Sequence, residues 1–264
     1  MTRIAEVAKL IAGDIQNVRA FNLYADAIDD IETAYRVQDA VTDRLLAVGT
    51  LGGIGGYKIA FNNPASMQYY GLQEPCIAPV FERQIMTSGV ALVSGDYHSL
   101  IVEPEICIVL GKDIDATGNL GRAAILACIE SVRPSFELLD HRGAFALDPT
   151  AAMAIAQSIH NVGAVIGEAV PVETLDRRAG LVTRLLLDGV EAAEKTGGGP
   201  QDPIEVVAWM VSTLAKRGQG LKAGMIVLCG AHMPARPVTG ATRVEVGMGE
   251  MGTSHFILGQ PAPK

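Results

Sequence analysis

The sequence predicts an α+β fold in which a helical N-terminal segment precedes a β-rich domain. Apolar residues recur at helical spacing near the N-terminus, and short strand patterns dominate after residue 57. These strands do not alternate regularly with helices. With 264 residues, 49% of them hydrophobic, the chain can bury a sizeable core. We therefore expect a mixed barrel or roll rather than a doubly wound sheet.

Two amphipathic helices are predicted at residues 3–18 and 30–47 from the spacing of their apolar residues. A glycine-rich run at residues 49–56 follows, and the hydrophobic period then changes from helical to alternating. This change predicts a domain boundary, with an N-terminal helical segment at residues 1–50 and a β-rich catalytic domain at residues 51–264.

Seven runs rich in β-branched residues are predicted to be strands. They read YKIAF, SLIVEPEICIVLG, NVGAVIG, LVTRLLLDG, GMIVLCG, TRVEV and TSHFILG. Helices are predicted at residues 119–132 and 203–217, the second beginning with the N-cap and first-turn pair Asp202-Pro203. Residues 141–158 are expected to form a loop or lid that contains at most a short helix.

Charge and cysteine usage exclude several classes of protein. The formal net charge is -8 and the Lys and Arg residues are scattered, so no nucleic-acid partner is expected. The four cysteines lack the spacing of a zinc site or a disulfide framework, which favours a reducing cytoplasm. The sequence has no apolar run long enough to span a bilayer, so no membrane partner is expected either.

Two carboxylates mark the most informative strand. Glu103 and Glu105 are two residues apart, so their side chains project from the same face of the strand. Like charges this close repel each other, and a hard cation such as Mg²⁺ between them would relieve the repulsion. A solvated strand face is the alternative.

A third carboxylate, Glu137, interrupts an apolar stretch that is expected to be buried. An unpartnered buried carboxylate is costly, so Glu137 needs a cation. A metal ion shared with the first two glutamates would serve, and the alternative is a salt bridge to Arg133 or Arg142.

The sequence resembles the 2-keto-4-pentenoate hydratases and 4-oxalocrotonate decarboxylases of the fumarylacetoacetate hydrolase superfamily over nearly its whole length. The markers are Gly56-Tyr57-Lys58-Ile59, Pro64 with residues 68–75, Glu103-Pro104-Glu105-Ile106, Pro134 with Glu137 and Arg142, and Ala223-Gly224 before residues 226–230. The resemblance implies a fumarylacetoacetate hydrolase-like mixed β-barrel or roll with an N-terminal helical segment.

The resemblance also implies a set of site residues. The family's metal ligands fall on Glu103, Glu105 and Glu137, which would bind Mg²⁺ or, as an alternative, Mn²⁺. The strand lysine near the substrate falls on Lys58, which could bind the substrate carboxylate or transfer a proton. An exposed strand lysine is the alternative. Arg142 and Gly230 are further expected to contact the substrate.

Two departures from the family pattern affect the acid and base groups. Hydratases of this type usually have an aspartate where this chain has Cys76, and an apolar residue there is compatible with decarboxylation. We expect Cys76 to contact the substrate. The run Ser158-Ile159-His160-Asn161 replaces a family Asp-Asn-x-Ser run. His160 could supply the lost acid or base, because histidine titrates near neutral pH, and a polar loop residue is the alternative.

These features together predict a metal-dependent lyase that acts on a small unsaturated 2-oxo acid. The leading prediction is a 2-keto-4-pentenoate (2-hydroxypenta-2,4-dienoate) hydratase of aromatic catabolism. The alternatives are a 2-oxo-3-enedioate decarboxylase of the 4-oxalocrotonate type, an acylpyruvate C–C hydrolase, and a non-catalytic partner subunit of a hydratase–decarboxylase complex. The resemblance implies a homo-oligomer, with association with a related hydratase or decarboxylase as a further expectation.

Overall fold

The computed structural model describes residues 2–24, 26–114 and 120–260. Its elements combine six α-helices with thirteen strands within these ranges. The helices are α1 (Arg3–Gln16), α2 (Ile31–Val48), α3 (Pro64–Tyr70), α4 (Arg122–Leu126), α5 (Ala151–Ala156) and α6 (Pro203–Ala215). The strands are β1 (Ile54–Ala60), β2 (Cys76–Phe81), β3 (Ile85–Thr87), β4 (Ala91–Val93), β5 (Leu100–Leu110), β6 (Ile129–Asp140), β7 (Asn161–Ile166), β8 (Val182–Leu187), β9 (Val190–Thr196), β10 (Ile226–Ala231), β11 (Arg236–Pro237), β12 (Arg243–Met248) and β13 (Thr253–Gly259).

The strands form two mixed sheets. The larger sheet has the order β2-β1-β10-β5-β6-β7-β3, with β11 paired to β5, and the smaller has the order β4-β13-β12-β8-β9. Most pairs are antiparallel, while β1 with β10, β3 with β7 and β4 with β13 are parallel. The predicted α+β class, with helices preceding a β-rich region, is confirmed.

The N-terminal helices pack on the edge of the larger sheet that holds β1 and β2. Val7 and Ile11 of α1 and Val37 and Val41 of α2 share one buried cluster with residues of α5 and of these strands. The buried Gln38 amide of α2 donates hydrogen bonds to carbonyl oxygens on β2 and α5. The helices therefore help to hold β1 in place, and the division of the chain after residue 50 stays a prediction.

The seven predicted strand runs coincide with β1, β5, β7, β8, β10, β12 and β13.

The helix predicted at residues 119–132 is wrong in extent. Residue 119 lies outside the described ranges, and in the described part of this segment only α4 is helical. Strand β6 already begins at Ile129. Strand β6 pairs with β5 along its whole length, from Leu110 opposite Ile129 to Leu100 opposite Asp140. This pairing with a buried neighbour overrides the local helical pattern.

The predicted loop at residues 141–158 contains a 3₁₀ turn at Ala144–Leu147 and the short helix α5. Across the described ranges, none of the helices combines the length and apolar character needed to cross a membrane.

Candidate active site

Strands β5 and β6 bring the three predicted glutamates together. Glu103 lies directly opposite Glu137 across the antiparallel pair, and Glu105 follows two residues later on the same face. One carboxylate oxygen from each residue lies within 4.8 Å of the others. The structure therefore brings the three predicted carboxylates together, and their role as a metal site is a proposal.

The two carboxylate oxygens of Glu105 differ in their hydrogen bonding. Its carboxylate is fully buried, and Oε2 accepts a hydrogen bond of 2.7 Å from the Gly230 backbone N–H. No described residue donates to the buried Oε1. A buried carboxylate oxygen without a donor is expensive, so this position fits a bound cation.

Glu137 has the same pattern. Its Oε1 accepts hydrogen bonds from Lys58 Nζ at 3.0 Å and from Asn161 Nδ2 at 2.8 Å. The buried Oε2 has no donor among the residues that the structure places. The ion pair of Glu137 is therefore with Lys58, and not with Arg133 or Arg142 as the alternative would have it.

Lys58 is buried, with 2% of its surface exposed, which rules out an exposed strand lysine. Its strand β1 is separated from β6 by β10 and β5, yet its ammonium reaches Glu137. Neighbouring strands are about 4.8 Å apart, so this contact requires a strongly curved sheet. The concave face of that sheet gathers Lys58 and the three glutamates into one site.

Burial gives these carboxyl groups unusual pKa values. Burial, assisted by the charge of Glu137, raises the pKa of Glu103 to about 7. Burial also raises the pKa of Glu105 well above its usual range, with Glu137 and Glu103 adding to the effect. The pKa of Glu137 is raised by burial and pulled back by Lys58. The cluster therefore favours either bound protons or a hard cation that prefers oxygen ligands.

A cavity of about 200 Å³ opens beside the cluster. Glu103, Lys58 and His160 line it, and apolar side chains such as Leu139 and Phe145 form much of the remaining wall. Drug-sized ligands occupy sites of roughly 300–1,000 Å³, so this cavity suits a smaller molecule.

His160 lies in this wall in a strained backbone segment. Ser158, Ile159 and His160 all have positive φ angles of 47–60°. Such strain is unusual in non-glycine residues and is often found at functional sites. The imidazole packs edge-on against Phe145, and burial lowers its pKa to about 3, with the charge of Lys58 adding to the effect. His160 is neutral at pH 7, and its acid or base role stays a prediction.

Three predicted substrate contacts, Cys76, Arg142 and Gly230, are not among the described residues that line this cavity. Cys76 lies on β2 opposite Ala60, and burial raises the pKa of its thiol to about 11. The Arg142 guanidinium donates to the carbonyl oxygens of Asp14 and Ile15 at the end of α1. The Gly230 backbone N–H donates to Glu105 Oε2.

Asn161, His141 and Phe145 are site residues that the sequence did not identify. Asn161 is part of the run at residues 158–161 that departs from the family pattern, and its side-chain amide donates a hydrogen bond to Glu137. His141 and Phe145 stack with ring centroids 4.6 Å apart in the cavity wall. Residues 141–158 approach the carboxylates only through the tertiary fold, so no local pattern indicates their place.

Gly230 occupies a position that only glycine fits. Its φ is +104°, and an added Cβ would lie 2.5 Å from Nδ2 of the buried Asn62. We expect Gly230→Ala to lower the free energy of unfolding by about 2 kcal/mol more than Gly240→Ala does. Gly240 is the matched control because its φ is +86° and an added Cβ would meet no atom within 4 Å. Urea denaturation of both variants measures the difference, and equal losses would contradict the contact.

Comparisons with known proteins find hydratases and a decarboxylase. The TodF product hydratase of Pseudomonas putida strain F1 is 27% identical over 228 residues, which cover 85% of this chain and 82% of that protein. A 4-oxalocrotonate decarboxylase of a Pseudomonas species is 27% identical over 205 residues, 76% of this chain and 77% of that protein. These relatives confirm the resemblance that the sequence markers indicated.

The solved structure of 4-oxalocrotonate decarboxylase from Pseudomonas putida G7, complexed with magnesium and adipate, shares the fold of this chain. The two align with a TM-score of 0.88 and 21% identity over 98% of each chain. No protein-family model matches the chain.

Proposed function

We propose that this chain is a Mg²⁺-dependent lyase of a small unsaturated 2-oxo acid. The premise of the proposal is that the chain belongs to the family of 2-keto-4-pentenoate hydratases and 4-oxalocrotonate decarboxylases. Hydration of a 2-hydroxypenta-2,4-dienoate or its 2-oxo tautomer is the reaction that we put first. The named activities of its curated relatives support this class of reaction.

One observation carries the proposal. Two buried carboxylate oxygens without donors, Glu105 Oε1 and Glu137 Oε2, belong to a cluster whose ligand oxygens lie within 4.8 Å of one another. Carboxylate oxygens are the preferred ligands of Mg²⁺, which keeps further positions for water and substrate. Glu103, Glu105 and Glu137 would therefore hold the ion. The small adjoining cavity offers room for a short acid.

Bound Mg²⁺ would supply Lewis-acid stabilisation of the negative charge that develops at the 2-oxo oxygen of the substrate. The chain's own residues keep the ligands in place. The Gly230 N–H orients Glu105, and the Asn161 amide orients Glu137. Such supporting hydrogen bonds fix the direction of a ligand carboxylate and restrict its motion.

Lys58 is the residue that we assign to the substrate. Its ammonium lies at the cavity wall beside the carboxylate cluster, where it can donate a hydrogen bond to a substrate carboxylate or hold a proton near the dienol carbon chain. The neutral His160 faces the same space and can position the substrate by accepting or donating one hydrogen bond.

Decarboxylation of a 2-oxo-3-enedioate is the second candidate. It needs no group to activate water, and His160, the residue predicted to supply the lost acid or base, is poorly suited to that task because it is a weak base with a pKa of about 3. Cys76, which stands where hydratases of this type usually have an aspartate, lies outside the cavity wall, and burial raises the pKa of its thiol. Among curated relatives, 4-oxalocrotonate decarboxylase has this named activity.

One assay tests both reactions. Purified protein with Mg²⁺ is incubated separately with 2-hydroxypenta-2,4-dienoate and with 2-oxohex-3-enedioate while dienol absorbance and CO₂ release are followed. Loss of dienol absorbance without CO₂ supports hydration, and CO₂ release from the diacid supports decarboxylation. Absence of both, in protein shown by calorimetry to bind Mg²⁺, would contradict the proposed function.

Mg²⁺ binding is expected to weaken as the pH falls from 8 to 6. The cation binds ionised carboxylates, and the pKa of Glu103 is raised to about 7, so below that pH a proton must be displaced first. Each displaced proton weakens binding by up to about tenfold per pH unit, and because the pKa of Glu105 is raised as well, we expect a loss of at least roughly tenfold over this range. Calorimetry in buffers of different ionisation enthalpy counts the protons released. A pH-independent affinity without proton release would contradict the raised pKa values.

The homo-oligomer, association with a related hydratase or decarboxylase, and cytoplasmic location stay predictions. Light scattering coupled to gel filtration measures the mass of the purified protein alone. Adding a purified hydratase or decarboxylase of the family to the same experiment tests for a complex.

A further inference from the structure

A second cavity, of about 530 Å³, opens on the concave face of the larger sheet. Arg133 lines it, and Glu137 is four residues further along β6, so both side chains project from the same face of that strand. Four strand residues span about 13 Å. The second cavity shares no described lining residue with the cavity beside the glutamates. The curved sheet therefore offers two separate cavities on one face.

Arg133 carries a positive charge that no described carboxylate balances through an ion pair. A guanidinium has several N–H donors in a fixed plane. One of them donates to the Gly167 carbonyl oxygen at 2.9 Å, and the buried Nε has no acceptor among the residues that the structure places. A partly buried charge without a counter-ion is costly, so this position fits a bound anion.

The other charged side chains in the wall of the second cavity, Glu82 and Lys222, already have partners. The Glu82 carboxylate accepts a hydrogen bond of 2.7 Å from the Gly53 backbone N–H. The Lys222 ammonium forms an ion pair with Asp113 at 3.0 Å. Within the described part of the wall, Arg133 is thus the charged group that has a carbonyl oxygen as its partner and no opposite charge.

A second donor without an acceptor lies on the same face of β6. Ser131 precedes Arg133 by two residues, and Val109, which is paired directly with Ser131, lines the cavity. Ser131 is 5% exposed, and its hydroxyl has no hydrogen-bond partner in the described ranges. A carboxylate offers two acceptor oxygens, so one such group can accept hydrogen bonds from both side chains.

The remaining wall of the second cavity is mostly apolar. Its apolar members are Ile54, Ile85, Val109, Ile166, Met225 and Ile226. The volume falls within the roughly 300–1,000 Å³ that is typical of small-molecule sites. One uncompensated cation in an apolar wall favours a ligand with a single negative charge and an apolar body.

We propose that this second cavity binds a small carboxylate with an aromatic or branched apolar body, and that Arg133 holds its carboxylate group. The planar guanidinium matches a carboxylate through two parallel N–H···O bonds. The proposal does not depend on the proposed function, because it uses none of the glutamates. It adds to the chain a second ligand site, which has no part in the lyase reaction itself.

Binding of benzoate to the Mg²⁺-loaded full chain tests the proposal. Benzamide has the same shape without the charge, and calorimetry should show that benzoate binds at least roughly tenfold more tightly. Arg133→Met should weaken benzoate binding by a similar factor and remove the preference over benzamide. Arg36→Met is the control, because Arg36 is exposed on α2, and it should leave the affinity unchanged. Absence of benzoate binding, or equal binding to the native chain and Arg133→Met, would overturn the proposal.

Ser131→Ala gives a second test that does not depend on the folding of Arg133→Met. It deletes a hydroxyl that has no partner in the described ranges, so the chain should fold normally. We expect it to weaken benzoate binding about threefold to tenfold, whereas Ser212→Ala on the exposed face of α6 should have no effect. An unchanged benzoate affinity in Ser131→Ala would contradict the placement of the carboxylate between the two side chains.

Inorganic phosphate tests the chemical class of the ligand. It can accept from Arg133 but makes no use of the apolar wall, so calorimetry should show that it binds at least roughly tenfold more weakly than benzoate. Phosphate binding as tight as that of benzoate would overturn the assignment of an apolar carboxylate to this cavity.

Discussion

Replacing Glu137 with glutamine is expected to lower kcat/KM by at least about 10³-fold and to weaken Mg²⁺ binding strongly. Glutamine keeps the shape of the side chain but removes the negative charge from the cluster. The oxygen that is free to bind a cation in the native chain, Oε2, becomes part of an amide of lower affinity for a hard cation. Steady-state kinetics and calorimetric titration with Mg²⁺ measure the two losses.

The free energy of unfolding of single and double variants distinguishes the metal-binding role of Glu137 from its ion pair with Lys58. Breaking a buried pair by removing one partner costs about 3–5 kcal/mol, and Glu137→Gln leaves the buried ammonium of Lys58 with only a neutral acceptor. The double variant Glu137→Gln with Lys58→Met no longer has this unpaired charge, so part of the lost free energy of unfolding should return while activity stays lost. Recovery of activity in the double variant would contradict a metal role for Glu137.

Glu130 offers the matched control on the same strand. It lies near the start of β6 and is exposed. Glu130→Gln removes one negative charge from β6 at a distance from the cluster, so kcat/KM and Mg²⁺ affinity should stay close to those of the native chain. A comparable loss in both variants would mean that net charge, rather than the cluster, controls the activity.

The sequence could identify the carboxylates because their patterns are local. Glu103 and Glu105 share a face by the two-residue period of a strand, and Glu137 stands out as an acid within an apolar run. The partners of these residues are not local. Lys58 reaches Glu137 only because the sheet curves across two intervening strands, and the N–H of Gly230 reaches Glu105 from another strand.

The fold was predictable where the hydrophobic period was clear, as in α1, α2, α6 and the longer strands. It was not predictable where pairing with a neighbouring strand decides the secondary structure, as in the first residues of β6.

Proline in a central strand is uncommon because it lacks the backbone N–H that would donate a hydrogen bond to the neighbouring strand. Here Pro134 lies in the central strand β6, and its carbonyl oxygen still accepts the Gly167 N–H at 2.8 Å. Arg142 was expected at the substrate from resemblance, and the last turn of α1 holds it instead.

Replacing Lys58 with methionine is expected to lower kcat by about 10²-fold or more while Mg²⁺ binds at least as tightly as in the native chain. Methionine fills a similar volume and removes a positive charge that lies 3.0 Å from Glu137 Oε1. Removing this cation relieves its repulsion of Mg²⁺, so the affinity for the ion should not fall. The split between turnover and metal affinity is the signature of a residue that acts on the substrate.

Lys112→Met is the control for the loss of an exposed lysine and should leave both quantities unchanged. Lys58→Arg tests whether charge alone suffices: a bulkier guanidinium must fit in a fully packed position, so recovery should be partial at best. If Lys58→Met weakened Mg²⁺ binding in parallel with turnover, Lys58 would act by positioning Glu137. If neither changed, the lysine would be a structural partner of Glu137, and the proton-transfer group would have to be sought elsewhere in the cavity wall.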